Sequence, residues 1–199
     1  MISKYLVLTL FLLTIFSSTC NASWLLYHKP EFRGHVVDID TKEPIEGVVV
    51  VAIYYKSTLN PPAGSYSNVI HVKETLTDKN GGFYFPAYTT FIHPLAYSGN
   101  CEFLIYKAGY GNLGKEPVEE ELSGKANKTF ERKALWNNNL VFRFLPNGTI
   151  EVPKLTNIQD MKNSWGNAGI WGAEIDKSEV PLLYNMVTKE EQTIFIKGR

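Results

Sequence analysis

The chain has 199 residues, of which 44% are hydrophobic and 20% are charged, so it is long enough to bury a core within one domain of ordinary globular composition. Its 20 basic and 20 acidic residues cancel. A balanced charge lacks the broad electrostatic attraction on which binding to nucleic acids and to anionic membrane surfaces depends, so we expect no nucleic-acid partner.

The N-terminus has the pattern of a secretory signal peptide. Lys4 supplies a positive charge, residues 5–16 form an uncharged apolar run, and mostly small residues follow at 17–23. The run is shorter than the about 20 residues that a membrane-spanning helix needs. We therefore predict that residues 1–22 are a signal peptide and that the protein is exported, either periplasmic or membrane-anchored, or else secreted. An uncleaved signal anchor is the alternative.

The position of Cys20 allows two mature N-termini. Cleavage after Ala22 discards this cysteine, whereas a lipoprotein-type signal at residues 1–19 makes it the first residue, lipid-modified as in bacterial lipoproteins. The signals of those proteins end in Leu-small-small-Cys, and residues 17–19 here are Ser-Ser-Thr. We favour lipidation of Cys20, which would then be the only attachment of the chain to a membrane.

Cys101 is the other cysteine of the chain. A cleaved protein has no internal partner for it, so a disulfide framework is excluded. It precedes the apolar stretch EFLIY, and buried cysteines are common and unreactive. We therefore expect a buried, inert thiol.

Residues 30–152 are predicted to form a β-domain of short strands separated by turn residues. Apolar runs at 32–40 and 48–55 are separated by a proline and a glycine, and the second run is β-branched and aromatic on both faces, as in a strand buried in a sandwich. Residues 56–67 contain two prolines and a glycine, which a central strand does not hold. They are predicted to be a long exposed loop.

The segment Asp-Lys-Asn-Gly-Gly at residues 78–82 lies between an alternating run at 68–77 and an apolar run at 82–88. Asn and Gly accept the positive φ values of tight turns, so the two runs are predicted to form a hairpin. A calcium loop of EF-hand type is the alternative, but it needs Gly at its sixth position and Glu at its twelfth, where this chain has Phe83 and Thr89. We expect a turn, with Phe83 in the core.

The remaining β-segments follow a second predicted irregular loop at residues 88–101. A strand is predicted at 101–110, and the apolar runs LVFRFL and TIEV are joined by Pro-Asn-Gly at residues 146–148, which predicts a second hairpin. Short strands at turn-separated intervals are typical of an antiparallel sandwich.

After Pro153 the pattern becomes helical. Thr156 and Gln159 have the spacing of a capping box. A second run has apolar residues at helical spacing, with a proline that only the first helical turn tolerates. The residues at that spacing are Leu183, Met186, Val187, Glu190 and Ile194. Residues 153–199 are predicted to be a short helical extension that packs on the sandwich.

Four groups of residues occur in order along residues 32–111. They are Gly34-x-Val36-x-Asp38, Pro44-x-x-Gly47-x-x-Val50, Thr77-Asp78-x-x-Gly81-x-Phe83 and Lys107-x-Gly109-Tyr110. Together they resemble the carboxypeptidase regulatory-like domains. The resemblance implies a mainly β fold, a seven-stranded antiparallel transthyretin-like (prealbumin-like) β-sandwich of Greek-key type, used in exported bacterial proteins as an accessory or binding module without catalytic residues.

This chain departs from the family pattern in the insertions at residues 56–67 and 88–101 and in the tail. Binding specificity is usually placed in the loops of a rigid sandwich, so we expect any individual function to lie in those departures.

The sequence contains little that is typical of an active site. His28 and His71 each have a Glu three residues later, which is a spacing of zinc ligands, but no His occurs after His93. In a strand, residues three apart lie on opposite faces, so such a His and Glu cannot share a metal ion. We therefore predict no metal, and we also predict no catalytic residue and no cofactor. The alternative is a small hydrolase that uses His71, His93 and Cys101.

Trp165 and Trp171 lie in the glycine-rich segment NSWGNAGIWG and are candidates for stacking on the sugar rings of a glycan. The alternative, which we favour, is that they pack between the tail and the sandwich.

These patterns together predict a non-catalytic β-sandwich module of the cell envelope that binds an unidentified protein or glycan partner through its long loops. The alternatives are the small hydrolase and a structural assembly subunit that pairs through an exposed edge strand.

Overall fold

The computed structural model describes residues 25–60, 62, 64–112, 114–134, 136–166 and 175–197. The strands are β1 (Leu26–Lys29), β2 (Phe32–Asp38), β3 (Val49–Asn60), β4 (Gly64–Leu76), β5 (Gly82–Phe85), β6 (Tyr88–Phe91), β7 (Ala96–Tyr106), β8 (Lys115–Glu116), β9 (Phe130–Ala134), β10 (Asn137–Phe144) and β11 (Thr149–Val152). The helices are α1 (Glu119–Leu122), α2 (Ile158–Gly166), a 3₁₀ helix (Lys177–Glu179) and α3 (Pro181–Lys197). In this described part of the chain, no helix combines the length and the apolar character that crossing a membrane requires.

The strands form three sheets. One has five strands in the order β5-β2-β11-β10-β9, another has four in the order β4-β3-β7-β8, and β1 and β6 form a two-stranded ribbon. Strands β2 and β11 run parallel, with Val36 opposite Ile150, and the other neighbours are antiparallel. Side chains from both larger sheets share one core, in which Phe32 packs on Phe103 with ring centroids 5.0 Å apart. The predicted mainly β architecture is confirmed, with eleven strands in the described residues rather than seven.

Strand β3 is buried on both faces. Val50, Ala52 and Tyr54 point into the core between the two larger sheets. The alternate residues form a second core on the outer face of the four-stranded sheet, and they are Val49, Val51 and Ile53. This double burial explains why the segment is apolar without alternation.

Helix α3 covers that outer face, as the predicted helical extension requires. Its Leu183 and Val187 are buried in the second core. The Glu74 carboxylate of β4 accepts hydrogen bonds from the backbone N–H groups of Leu182 and Leu183, at 2.6 and 3.0 Å. A carboxylate from a strand therefore caps the helix and complements the positive end of its dipole.

A second carboxylate fixes α3 farther along its length. Glu190 is 8% exposed, and it accepts hydrogen bonds from the Tyr106 hydroxyl and, at 3.0 Å, from the Gly109 N–H. Burial, and then the hydrogen bond that its hydroxyl donates to Glu190, raise the pKa of Tyr106 above its usual range. A buried carboxylate is costly without hydrogen-bond partners. The two hydrogen bonds to Glu190 therefore favour the observed position of α3 on the sheet.

Two segments that the sequence predicts as irregular loops are mostly strand, and those predictions are wrong. Within 56–67, β3 continues to Asn60 and β4 begins at Gly64. Within 88–101, β6 ends at Phe91 and β7 begins at Ala96. The prolines of the first segment fall between the two strands in the sequence, so they interrupt neither ladder.

Residues 78–82 form the predicted turn, but the predicted hairpin around it is wrong. Asp78 accepts a hydrogen bond from the Gly82 N–H at 2.8 Å, and Gly81 has a φ of 72°. The flanking strands belong to different sheets, because β4 pairs with β3 and β5 pairs with β2. The turn therefore carries the chain from one layer to the other, and Phe83 enters the core as expected.

The residues that carry the family resemblance have structural roles at this turn. The Thr77 hydroxyl donates to the Ile45 carbonyl at 2.6 Å and accepts from the Val48 N–H at 2.8 Å. A Cβ added to Gly81 would lie 2.4 Å from the carbonyl oxygen of Val36, so only glycine fits there. These contacts tie the turn to the connection between β2 and β3.

In the C-terminal part, the predicted hairpin of β10 and β11 is confirmed, and the start of α2 differs by one residue from the prediction. The side chain of Asn157 accepts a hydrogen bond from the Asp160 N–H at 2.7 Å, so Asn157 caps α2 and the capping box from Thr156 to Gln159 is wrong. Asn is a stronger N-cap residue than Thr, which accounts for the choice.

Candidate binding surface

Three strand ends form a small three-stranded ladder at one end of the four-stranded sheet. We call this ladder the arm, and it consists of residues 56–60 of β3, 64–68 of β4 and 96–98 of β7. Ser57 on the central strand lies opposite Ser67 on β4 and Tyr97 on β7. The hydroxyls of Ser57 and Ser67 are 3.1 Å apart, and hydrogen bonds with Ser65 and then Ser57 lower the pKa of Tyr97. Side chains therefore link the arm across all three strands.

Large apolar side chains are exposed on and beside the arm. Leu59, Tyr66, Tyr97 and Leu95 are half-exposed, and Phe91 is 83% exposed. Tyr97 and Leu59 share the face of Ser57, and Tyr66 lies on the other face with Thr58, so both faces of the arm expose a large apolar side chain. Exposed apolar groups concentrated on one element are typical of interaction sites.

Apart from Lys56, where it begins, the arm contains no charged side chain. Residues 57–72 and 88–101 include no Asp, Glu, Lys or Arg, although 20% of the chain is charged. The cores of protein interfaces are depleted in charge and enriched in aromatic residues. The absence of charge is visible in the sequence, but it occurs in two separate segments. Only the pairing of β3 with β4 and β7 brings these segments together.

The outer edge of β4 leaves backbone groups unpaired along the arm. The Leu59 N–H donates to the Leu95 carbonyl at 2.9 Å, on the β7 side of β3. Because N–H groups alternate sides along a strand, Thr58 directs its own toward β4, where its partner is Tyr66. The N–H and C=O groups of the β4 residues that alternate with Tyr66 then point away from β3. Among the described strands, β4 pairs only with β3, so no strand receives these groups. The residues with outward backbone groups are Ser65, Ser67 and Val69.

Along β7, α1 closes the sheet edge only beyond the arm. The Cys101 N–H donates to the Glu119 carboxylate at 3.0 Å, and Lys29 binds the same carboxylate at 2.7 Å. A polar cleft of about 420 Å³ adjoins this ion pair, and Ser98 of the arm contributes to its wall. Within the arm, neither residues 96–98 of β7 nor residues 64–68 of β4 pair with a further described strand, and the β4 edge is the longer of these two open edges.

A buried cluster lies at the base of the arm. Tyr54 on β3 pairs with His71 on β4 and with Cys101 on β7. The His71 ring stacks on Tyr88 of the β1–β6 ribbon, with centroids 4.4 Å apart and planes 15° apart. Burial, and then the charge of Glu119, raise the pKa of the Cys101 thiol. The thiol is 0% exposed, which confirms its predicted burial, and a protonated buried thiol is unreactive.

The structure does not bring His71, His93 and Cys101 together. His71 and Cys101 lie on the strands at either side of β3, which is about 10 Å at about 4.8 Å per strand spacing. His93 is exposed and precedes Ala96, and β7 needs about 17 Å to run from Ala96 to Cys101. A nucleophile and its base must lie within about 3 Å of each other.

The structure separates the two side chains of the His71–Glu74 pair. His71 contacts Tyr88 in the sandwich, whereas Glu74 caps α3 on the opposite face of the sheet, as expected for residues three apart in a strand. The Nδ1 atom of His28 hydrogen-bonds the Thr89 hydroxyl at 2.8 Å. Among the residues that the structure describes, no group of three or more His, Cys, Asp or Glu is placed to hold a metal ion.

Trp165 lies on α2 and is partly buried against the second core, near Ile175. Trp165 therefore packs between the tail and the sandwich, as in the alternative to glycan stacking. Trp171 and Cys20 lie outside the described residues, as does the whole of the predicted signal peptide at 1–22.

A mainly apolar cleft of about 390 Å³ lies between α2, α3 and the turn after β7. Met161 and Met186 are among its lining residues. Glu190 also lines it, but this carboxylate is already engaged by Tyr106 and Gly109. The cleft therefore has apolar walls without a free acidic group.

Comparison with protein-family models and with curated proteins finds no match. Among solved structures, the pilus adhesin RrgA from Streptococcus pneumoniae is similar with a TM-score of 0.26 and 13% sequence identity. The similarity covers 65% of this chain and 12% of the adhesin. We draw no conclusion about fold or function from a similarity at that level.

Proposed function

We propose that this chain is an exported, non-catalytic binding module of the cell envelope, which recognises a protein or glycan partner through the arm. Its fold is a transthyretin-like sandwich of the carboxypeptidase regulatory-like type. The mature protein begins either at a lipidated Cys20 or after Ala22.

The observation that carries this proposal is the uncharged, aromatic-bearing end of the four-stranded sheet. The arm and the segment beside it expose Tyr66, Tyr97 and Phe91 and have no charged residue in 57–72 or 88–101. Tyrosine and phenylalanine offer a large contact area with few rotatable bonds, so they lose little conformational entropy on binding. A rigid ladder that presents them is already organised for a partner.

The fold family is supported by the contacts of the residues that resemble its motif. Thr77, Asp78 and Gly81 form a turn that joins the two layers, and Phe83 follows into the core. These are structural roles, in agreement with a family whose shared residues hold a scaffold while its loops vary.

The experiment that tests the proposal compares binding by the wild type, by Tyr66→Ala with Phe91→Ala, and by Tyr84→Ala as a matched control. Tyr84 is 52% exposed, close to Tyr66 at 49%, but it lies on β5 beside Glu31 and outside the arm. Purified proteins are incubated with the envelope fraction of the source cells and with an array of glycans. Central interface aromatics contribute about 2 kcal/mol or more, so we expect the arm variant to bind about thirtyfold more weakly and the control to bind normally.

Digestion of the envelope fraction separates the two partner classes. Loss of binding after protease treatment indicates a protein partner, and loss after glycosidase treatment or direct retention on the array indicates a glycan. Equal binding by all three proteins, each folded by circular dichroism, would refute the arm as the binding surface.

A further inference from the structure

We infer that the arm pairs with a second copy of this chain along the open edge of β4, so that two four-stranded sheets join into one continuous sheet. This rests on the proposed role of the arm as a binding surface and names its partner. The proposal depends on three features: an unprotected edge, a self-complementary register and the absence of charge.

Residues 64–69 of β4, up to the register shift opposite Tyr54 and Tyr55, lack the protection that β9, β5 and β8 have at the other edges of the two larger sheets. Strand β9 carries Glu131, Arg132 and Lys133, and β5 and β8 are only four and two residues long. Natural proteins use charges, prolines and short strands to prevent edge-to-edge pairing. From Gly64 to Val72 the sequence of β4 has no charge and no proline, although the strand is 13 residues long.

The outward backbone groups of β4 allow a symmetric register centred on Ser67, which pairs the largest number of the outward residues 65, 67 and 69. A two-fold axis at Ser67 places this residue opposite its copy, and it places Ser65 opposite Val69 of the second copy. These residues point their N–H and C=O groups away from β3, so each pairing exchanges both backbone hydrogen bonds of an antiparallel ladder. The interface is then isologous, as in most dimers of identical chains.

The lack of charge removes the usual obstacle to such pairing. Two copies of a charged edge would place like charges opposite each other across the axis, which destabilises a sheet. Here the contact brings Tyr66 beside the partner strand, where an aromatic side chain packs on its cross-strand neighbours. The ladder between β3 and β7 ends at Thr58, so the tip of the arm has two strands, and a further strand along β4 would stabilise it.

The first measurement is the mass of the purified mature protein by sedimentation equilibrium over a wide concentration range, for the wild type, Ser67→Lys and Asn138→Lys. Ser67 lies on the axis, whereas Asn138 is an exposed residue of β10 in the five-stranded sheet, outside the arm. We expect a reversible dimer for the wild type and for Asn138→Lys. Ser67→Lys places two ammonium groups at the axis and should weaken association by about tenfold or more.

The second measurement tests the register by cross-linking, in a Cys20→Ser background that leaves the buried Cys101 as the only other thiol. Copies of Ser67→Cys would have Cα atoms about 5.5 Å apart, within the range of a disulfide, whereas copies of Ser57→Cys would be about 15 Å apart. A disulfide-linked dimer of the first variant and not of the second supports the proposal.

A wild type that stays monomeric at every concentration overturns the inference, and so does a dimer that Ser67→Lys does not weaken. The proposed function survives either result if the variant Tyr66→Ala with Phe91→Ala binds the envelope fraction or a glycan more weakly than the wild type. If the wild type does not dimerise and this variant also binds normally, the proposed function fails as well.

Discussion

The paired strands β3 and β4 run through two different environments. Near Val51 and Glu74 the ladder is covered on both faces, by the other sheet on one side and by α3 on the other, and the carboxylate of Glu74 caps the helix. In the arm, the same two strands have exposed side chains and no charged residue beyond Lys56, and the outer edge of β4 pairs with no further described strand.

The two halves of this continuous ladder therefore differ in how much their side chains are buried. Burial of apolar area gives the covered half its stability, at about 25 cal/mol for each Å² removed from water. The arm gains little from burial, so its surface is available for a partner. Substitutions in the covered half should therefore lower the free energy of unfolding, whereas substitutions in the arm should weaken association with a partner.

The largest expected effect on stability is that of Leu183→Ala in the covered half. Leu183 is 1% exposed in the second core, and truncating a buried leucine costs about 2 to 5 kcal/mol. The matched substitution in the arm, Leu59→Ala, removes a side chain that is 50% exposed and should cost about 0.5 kcal/mol or less. Urea unfolding of both variants measures the two free energies. Equal losses would contradict the division between the halves.

A smaller loss is expected for Glu74→Ala, which removes the cap of α3. Two backbone N–H groups at the helix N-terminus lose their acceptor, and the cost should be about 1 to 2 kcal/mol. Glu74→Gln keeps an acceptor without the charge and should lie between the wild type and Glu74→Ala. Glu46→Ala, at an exposed residue, is the control and should have no measurable effect in thermal unfolding.

The stability of the protein should fall below neutral pH because of His71, at the boundary between the two halves. Burial, and then the nearby Lys73, lower the pKa of His71 below its ordinary value of 6.5, with an opposing contribution from Glu179. The unfolded chain then binds a proton more readily than the folded one, so the contribution of His71 is fully present above pH 6.5 and is lost as the pH falls toward its folded-state pKa. Unfolding titrations of His71→Gln should show a weaker pH dependence than those of the wild type, and equal pH dependence of the two proteins would contradict this assignment.

The smallest effect concerns individual amides of the arm. Hydrogen exchange should alternate along β4, because the N–H groups of Ser65 and Ser67 point outward while that of Tyr66 bonds to β3. We expect faster exchange at the outward amides in dilute protein and slower exchange when a second strand covers them. Uniform exchange from 64 to 69 would show that the backbone alternation is assigned wrongly.

The strong local patterns of the sequence predicted much of the scaffold. The apolar run at 48–55 indicated a strand buried on both faces, and the spacing of Leu183, Val187 and Ile194 indicated the face of α3 that packs inward. Those predictions succeeded because burial imposes a period on the sequence that is visible without the fold.

Predictions about pairing were less successful. Residues 56–67 and 88–101 were predicted to be loops because prolines, glycines and small polar residues dominate them, yet they hold the ends of β3, β4 and β7 and the whole of β6. The hairpin predicted around residues 78–82 was wrong for a related reason, since a turn fixes the local backbone angles but not the sheet that each flanking strand joins.

The sequence by itself therefore determined the elements with a strong apolar period, such as the buried half of β3 and helix α3, and the burial of side chains such as Phe83 and Cys101, because turn chemistry and hydrophobic period act over a few residues. The tertiary structure decided which strands are neighbours, and with that it created the arm, whose residues come from three separate segments. It also decided that β4 has an open edge, because an edge exists only when every other strand has found its place.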